Sequence, residues 1–250
     1  MRFLRNRVLV TGAASGIGRA TALRLAAEGA AVACFDRDPH GLAAVAAEIA
    51  AASGPGTART YECELLDRVA VQPLVRAAIA DLGGLDALCN IAGIGGFRLD
   101  AEQTLEDWDR ILGVNLTGTW LVCQAALPAL LESRGAIVNT ASTAATDATP
   151  YSSAYAASKG GVIGLTRSLA VSHAKAGLRV NCIAPGPIDT PIAQHYIPPE
   201  GADLALIGLI LPFGEMGRAE EVAAVIAFLA SREASHVNGQ VVAVDGGKRA

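Results

Sequence analysis

The sequence predicts an α/β domain: a doubly wound, mostly parallel seven-stranded sheet with helices on both faces and a short lid over its ligand crevice. Three observations carry this expectation. Short β-branched runs such as "RVLVT" and "AIVNTAS" lack the polar alternation of a half-exposed strand, which suits a sheet buried on both faces. Ala-rich amphipathic stretches separate these runs, so strand and helix alternate along the chain. The first strand also feeds a glycine-rich turn that opens a helix.

The elements follow in order. A strand at 7–11 leads to a helix over 16–29 closed by Gly29, because glycine tolerates the left-handed geometry that ends a helix. The pattern repeats as strand 31–36, helix 40–52, a strand near 58–63, helix 67–82 and strand 85–90. Two helices, 103–112 and 116–132, precede strand 136–142. Helix 153–175, strand 178–185, helix 219–230 and strand 240–247 complete the chain. Right-handed crossovers place the crevice at the carboxyl ends of the strands. No repeat or linker divides residues 1–250, so one domain is expected, and the irregular Gly/Pro-rich piece at about 186–217 suits a lid.

Composition excludes several functions. Apolar residues form 52% of the chain and charged residues 18%, which is ample for a core and leaves no case for disorder. A formal charge of −4 with no Lys/Arg run argues against nucleic acid as a partner. Five scattered cysteines with no C-x-x-C pair point to a reduced, cytoplasmic interior. Four separated histidines suggest no metal site. The N-terminal "MRFLRNRVLV" lacks the apolar centre of a signal peptide, and mean hydropathy is positive. The apolar runs stop short of the ~18 residues a membrane span requires, so no membrane is expected.

The stretch "VLVTGAASGIGRA" sets Gly12, Gly16 and Gly18 between the first strand and first helix. Glycine there permits a tight turn and close approach to a pyrophosphate, which the helix N-terminus attracts. The second strand ends at Asp36, whose carboxylate can accept both adenosine ribose hydroxyls and repel a 2′-phosphate. Its neighbour Arg37 could instead grip such a phosphate, but no second basic group stands inside the turn. NAD is therefore favoured over NADP.

The spacing Thr-Gly-x-x-x-Gly-Ile-Gly, together with "YAASK", resembles the short-chain dehydrogenase/reductase family of Rossmann-type oxidoreductases. The motifs "TGAASGIG", "NIAG", "GVNLTG", "AIVNTAS", "YAASK" and "RVNCIAPGPIDTP" fall in the family's order over essentially the whole chain. In that family Y-x-x-x-K marks the catalytic pair, with a serine thirteen residues before the tyrosine. Ser142 stands thirteen before Tyr155, whereas counting back from Tyr151 reaches Val138. The resemblance thus implies a catalytic set of Asn115, Ser142, Tyr155 and Lys159.

The chemistry supports that spacing independently. Residues four apart share a helix face, so Lys159 can approach the Tyr155 phenol, whose ordinary pKa is about 10. A nearby ammonium and an oxidised nicotinamide would both lower that value. Ser142, at a strand end, can hydrogen-bond the reacting oxygen. By resemblance Lys159 also holds the nicotinamide ribose, and Asn115 positions a water in a proton relay.

The resemblance further implies cofactor contacts from Gly12, Ser15, Gly16, Ile17 and Gly18 in the turn, and from Asp36, Arg37, Glu64 and Leu65 around the adenosine. Asn90, Ala92, Gly93, Tyr155, Lys159, Pro185, Gly186, Ile188 and Thr190 would complete that set. The expected substrate pocket comprises Ser142, Ala144, Tyr151, Tyr155, Gly186 and Ile192, with Tyr151 as a wall one turn before the catalyst. A homotetramer built from the helices around 103–132 and 153–175 and the last strand is also implied. Two departures stand out: Ile91 replaces the family's usual second Asn, and Glu64 replaces its usual Asp.

From Val180 to Gly217 there is no Lys or Arg, and 94–97 and 143–151 carry none either. Nothing in these stretches would pair with a substrate carboxylate or phosphate. The expected activity is NAD-dependent interconversion of a neutral, fairly hydrophobic secondary alcohol and its ketone, with cyclic and steroid-like compounds as candidates. Two alternatives remain open: NADPH-dependent reduction of 3-oxoacyl groups on acyl carrier protein, and a nicotinamide-binding regulator without chemistry.

Overall fold

The computed structural model describes residues 1–147, 149–212 and 214–248. Alternation of strand and helix runs through it as β1 (Arg7–Thr11), α1 (Gly16–Ala27), β2 (Ala31–Asp36), α2 (Pro39–Ala51), β3 (Thr57–Glu62), α3 (Val71–Leu82) and β4 (Ala87–Asn90). Then come α4 (Leu105–Leu112), α5 (Thr119–Ser133), β5 (Ala136–Thr140), α6 (Ser153–His173), β6 (Arg179–Pro185) and β7 (Ile188–Asp189). The chain continues with α7 (Leu204–Gly208), β8 (Gly217–Arg218), α8 (Ala219–Ala230) and β9 (Val241–Val244).

Seven strands form one sheet in the order β3-β2-β1-β4-β5-β6-β9. Every pairing in it is parallel, so the sheet is wholly rather than mostly parallel. Burial explains the apolar runs. Along β1, Val8 and Val10 enter the cluster that includes Leu25, Val45 and Ile226, while Leu9 enters the opposite cluster with Val75 and Leu130. Successive side chains point to opposite faces, and both faces are covered by helices. The edge strand β3, "TARTYE", is half exposed, which suits its polar sequence.

The order reverses beside β1, where the chain runs outward to β2 and β3 on one side and to β4 on the other. That switch point opens a crevice at the carboxyl ends of the strands. The last helices before β5 differ from expectation. Instead of separate helices at 103–112 and 116–132, α4 and α5 join through a π-helical segment, Gly113–Gly118, into one rod from Leu105 to Ser133. The rod is long and apolar enough to cross a bilayer. Leu121, Val122, Ala126 and Leu130, however, are buried in the core against the sheet. The piece following β6 is less irregular than its composition suggests: β7 pairs in parallel with β8 and ties the two ends of the lid together, with α7 between them. Phe213, part of the expected lid, lies outside the described residues.

Candidate active site

At the switch point a cleft of about 1070 Å³ collects residues from both halves of the sheet. Gly12 has a φ of 71°, and a β-carbon there would stand 2.8 Å from the Ala92 nitrogen. One at Gly18 would stand 1.8 Å from the Gly12 carbonyl oxygen, so neither position accepts a side chain without rebuilding the turn. No side chain caps the N-terminus of α1 at Ser15, which leaves its first-turn N–H groups to the cleft. Across the turn Thr11 accepts hydrogen bonds from the nitrogens of Ile91 (3.0 Å) and Ala92 (3.2 Å), fixing the loop after β4 against β1.

Asp36 closes the adenosine end. Its carboxylate accepts from the backbone nitrogens of Ala14 (3.0 Å) and Asp38 (3.1 Å) and still lines the cleft. Arg37 is mostly exposed and stands 3.9 Å from Glu64, whose carboxylate also accepts from the Leu66 nitrogen. A bare turn, an uncapped helix end and a carboxylate one strand away form a donor and acceptor set that fits a dinucleotide.

Ser15, Gly16, Ile17, Leu65, Gly93, Pro185, Gly186, Ile188 and Thr190 also line this cleft. The Thr190 side chain lies close over Gly16, which brings the base of the lid against the glycine turn. Asn90 ends β4. It is buried below the cleft lining and donates to Asn139 (2.9 Å), which in turn donates to Thr166 (2.9 Å), tying β4, β5 and α6 together.

The reacting end holds Ser142, Tyr155 and Lys159 together. Ser142 follows β5, accepts from the Ala144 nitrogen (3.2 Å) and lies beside the Tyr155 phenol. Lys159 is almost fully buried, and its Nζ lies 5.8 Å from the centre of the Tyr155 ring. The ammonium donates to the Thr140 carbonyl at 2.8 Å rather than to the phenol.

Burial pushes the Tyr155 pKa above its ordinary value, while the neighbouring Ser142 and Tyr196 hydroxyls work against that rise. Burial pushes Lys159 itself down to about 8. The Lys159 ammonium thus donates to a backbone carbonyl while standing beside the Tyr155 ring.

Asn115 sits in the π-helical segment and is completely buried. Its side chain accepts from the Ile94 nitrogen (2.8 Å) and donates to the Ile94 carbonyl (2.9 Å) and Ser158 (3.0 Å). The amide thus holds the wall of the cleft at Gly93–Ile94 without lining it. A π turn shifts the following residues around the axis, which is how one rod serves both the core and this wall.

Ala144 and Ile192 line the cleft, and Tyr151 does not. Its hydroxyl accepts from the Asp203 nitrogen at 2.8 Å, and its carbonyl accepts from the Arg98 nitrogen at 2.8 Å. Tyr151 holds a left-handed backbone, φ 58°, and fastens the start of α7 to the body of the domain. Two aromatic residues not singled out in the sequence take its place. Phe97 and Tyr196 meet edge to face at 5.0 Å, and Tyr196 meets Tyr155 in the same manner at 5.9 Å. With only nine Phe and Tyr residues in the chain, an aromatic beside the "IPPE" turn was the available signal.

Two further cations come from outside the stretches that carry no Lys or Arg. Arg110 from α4 and Lys248 from the C-terminal tail both border the cleft. Arg110 pairs with Asp107 at 3.2 Å, and Lys248 faces Asp147 and Asp245, so both cations already have carboxylate neighbours.

Comparisons with known proteins agree with this geometry. A family profile described as Enoyl-(Acyl carrier protein) reductase matches residues 12–249. The chain is 41% identical to 3-oxoacyl-(acyl-carrier-protein) reductase of Thermotoga maritima, over 99% of each chain. It is 39% identical to levodione reductase of Leifsonia aquatica, over all of this chain and 96% of that one. A crystal structure of levodione reductase superposes with a TM-score of 0.89 at 38% identity, covering 99% of this chain and 98% of the other. A short-chain dehydrogenase from Mycobacterium paratuberculosis bound to NAD gives 0.88 at 28% identity, covering 99% of both chains.

Proposed function

Since the chain belongs to the short-chain dehydrogenase/reductase family, we propose that it is an NAD-dependent oxidoreductase interconverting a neutral, fairly hydrophobic secondary alcohol and its ketone. One observation carries the reading: Ser142, Tyr155 and Lys159 converge on the same cleft that holds the glycine turn and Asp36. The dinucleotide would be held by the turn at 12–18, by Asp36 and by the segment 185–190. When bound, NAD supplies the acceptor for the hydride that leaves the carbinol carbon.

The chain's own groups handle the proton. Tyr155 removes the hydroxyl proton in oxidation and returns it in reduction. Ser142 hydrogen-bonds the same oxygen and shares the charge that develops on it. Lys159, anchored on Thr140, presents its ammonium beside the ring, and Asn115 keeps the Gly93–Ile94 wall in place.

Asp36 supports NAD, because its carboxylate lines the cleft at the strand end; Arg37 borders the cleft too, with its side chain largely exposed and near Glu64. Ile94, Phe97, Ile192, Ile207 and Met216 support a neutral, apolar substrate. The five buried, unpaired thiols support a reducing, cytoplasmic setting. Exposed Leu105, Trp120 and Val171 on α4, α5 and α6 support a homotetramer through these helices.

Initial rates with NAD and NADP, each against neutral cyclic alcohols and matched hydroxy acids, test the proposal. NAD with the neutral alcohols should dominate; a preference for NADP or for the acids defeats the corresponding half. The second reading, reduction of 3-oxoacyl groups carried on acyl carrier protein, is favoured by the similarity to the Thermotoga maritima enzyme. It predicts strong activity with NADPH and an acyl-carrier substrate.

A further inference from the structure

Three aromatic rings stand in a row at the reacting end of the cleft. Tyr196 meets Tyr155 edge to face, with ring centres 5.9 Å apart, and meets Phe97 in the same way at 5.0 Å. All three line the cleft. The rest of the lid-side wall includes Ile192, Ile207 and Met216, which rotate about several bonds and can yield to a substrate. A planar ring held between two others yields little.

The row closes over a pair of glycines. A β-carbon at Gly95 would collide with the Tyr196 hydroxyl and stand 2.7 Å from Tyr155 Cδ2. One at Gly96 would stand 2.9 Å from the His195 carbonyl oxygen. The lid thus comes down where the opposite wall carries no side chains, and it does so with the bulkiest residue of the segment 191–196. The backbone keeps that residue there. Tyr196 donates to the Ala193 carbonyl at 3.1 Å, at the end of the short helical turn Pro191–His195, and Pro198 and Pro199 follow.

Tyr155 must reach the substrate hydroxyl, so whatever the same carbon carries on the lid side meets the Tyr196 ring. We propose that Tyr196 is a specificity-determining residue that restricts one arm of the carbinol to a methyl group or a ring methylene, with the other arm lying along the aliphatic wall. This role rests on Tyr155 as the proton-transfer group proposed above and narrows the neutral secondary alcohol of that reading.

The test pairs α-methylbenzyl alcohol, which has one small arm, with diphenylmethanol, which has none. The parent protein with NAD should favour the first. In Tyr196→Ala the ratio of kcat/KM for diphenylmethanol over α-methylbenzyl alcohol should rise by about tenfold or more, because the space vacated by one ring accepts another. A ratio taken within one protein does not depend on how much of the variant is folded. Tyr196→Phe, which keeps the ring and drops the hydroxyl, should hold the ratio within about threefold. An unchanged ratio in Tyr196→Ala, or an equal rise in Tyr196→Phe, overturns the proposal.

The second readout needs no turnover: the affinities of acetophenone and benzophenone for the NADH complex, followed by NADH fluorescence. Tyr196→Ala should shift the preference toward benzophenone by a similar factor, and an unchanged preference overturns the proposal. Lactate and mandelate carry the same small and large arms on a hydroxy acid. A parent protein that accepts only this pair defeats the neutral-substrate reading, and the size ratio read on it in Tyr196→Ala then decides the role of Tyr196 by the same criterion.

Discussion

Tyr155 and Lys159 stand four residues apart, and that spacing was enough to place both at one cleft. The direction of the lysine was not legible, because it depends on the Thr140 carbonyl at the end of β5, nineteen positions away. The same holds for Asn115, whose partners Ile94 and Ser158 come from other segments. Two predictions belong here. Tyr155→Phe should lower turnover about 10²–10⁴-fold while NADH binding, followed by fluorescence, changes little. Retained turnover contradicts the assignment. Lys159, one of three lysines in the chain, should titrate near pH 8 in the cofactor-free protein, so it is charged below that pH and neutral above it. A lysine NMR signal with that midpoint should vanish in Lys159→Met; titration only above pH 10 would refute it.

Among elements, the strands were the most legible, since a parallel sheet covered on both faces demands continuous apolar runs. The joined α4–α5 rod was not. The sequence pattern left 113–115 between two helices, whereas a π-helical segment there continues the helix, and the Thr119 hydroxyl donates to the Asn115 carbonyl at 2.8 Å. Helix α8 shows another dependence on distant chain. Arg179, at the start of β6, donates to the carbonyls of Leu229 (2.8 Å), Ala234 (3.0 Å) and Ser231 (2.8 Å). These satisfy acceptors around the helix's C-terminal end, where a cation is also favoured by the dipole. Arg179→Met should therefore cost about 2 kcal/mol in urea unfolding, and an unchanged midpoint would show that solvent replaces those bonds.

At the level of the whole molecule, burial sets the alkaline limit of stability. All five thiols are buried, and burial pushes each up from about 9: Cys34, Cys89 and Cys123 to about 12, Cys63 and Cys182 to about 11. A raised folded-state pKa contributes stability that is present below the unfolded value and lost as pH rises toward the folded one. Lys159, shifted down, works in the opposite sense between about 8 and 10.5, but it is one group against five. The unfolding free energy from urea titrations should fall between pH 8 and pH 10 by a net amount on the order of several kcal/mol, and the midpoint with it. A midpoint that holds or rises would mean that the thiols ionise without unfolding.

The order of strands and helices and the glycine turn with Asp36 were readable from residues because periodicity and short spacings act locally, whereas the Ser142–Tyr155–Lys159 set was legible through a family resemblance. The tertiary structure alone decided that Asn90 supports the core, that Tyr151 secures the lid, and that Phe97 and Tyr196 face the catalyst. These roles depend on which distant segments the sheet brings to its carboxyl edge. A hydrogen bond or an aromatic edge contact is defined by distance in space, and no local pattern encodes it.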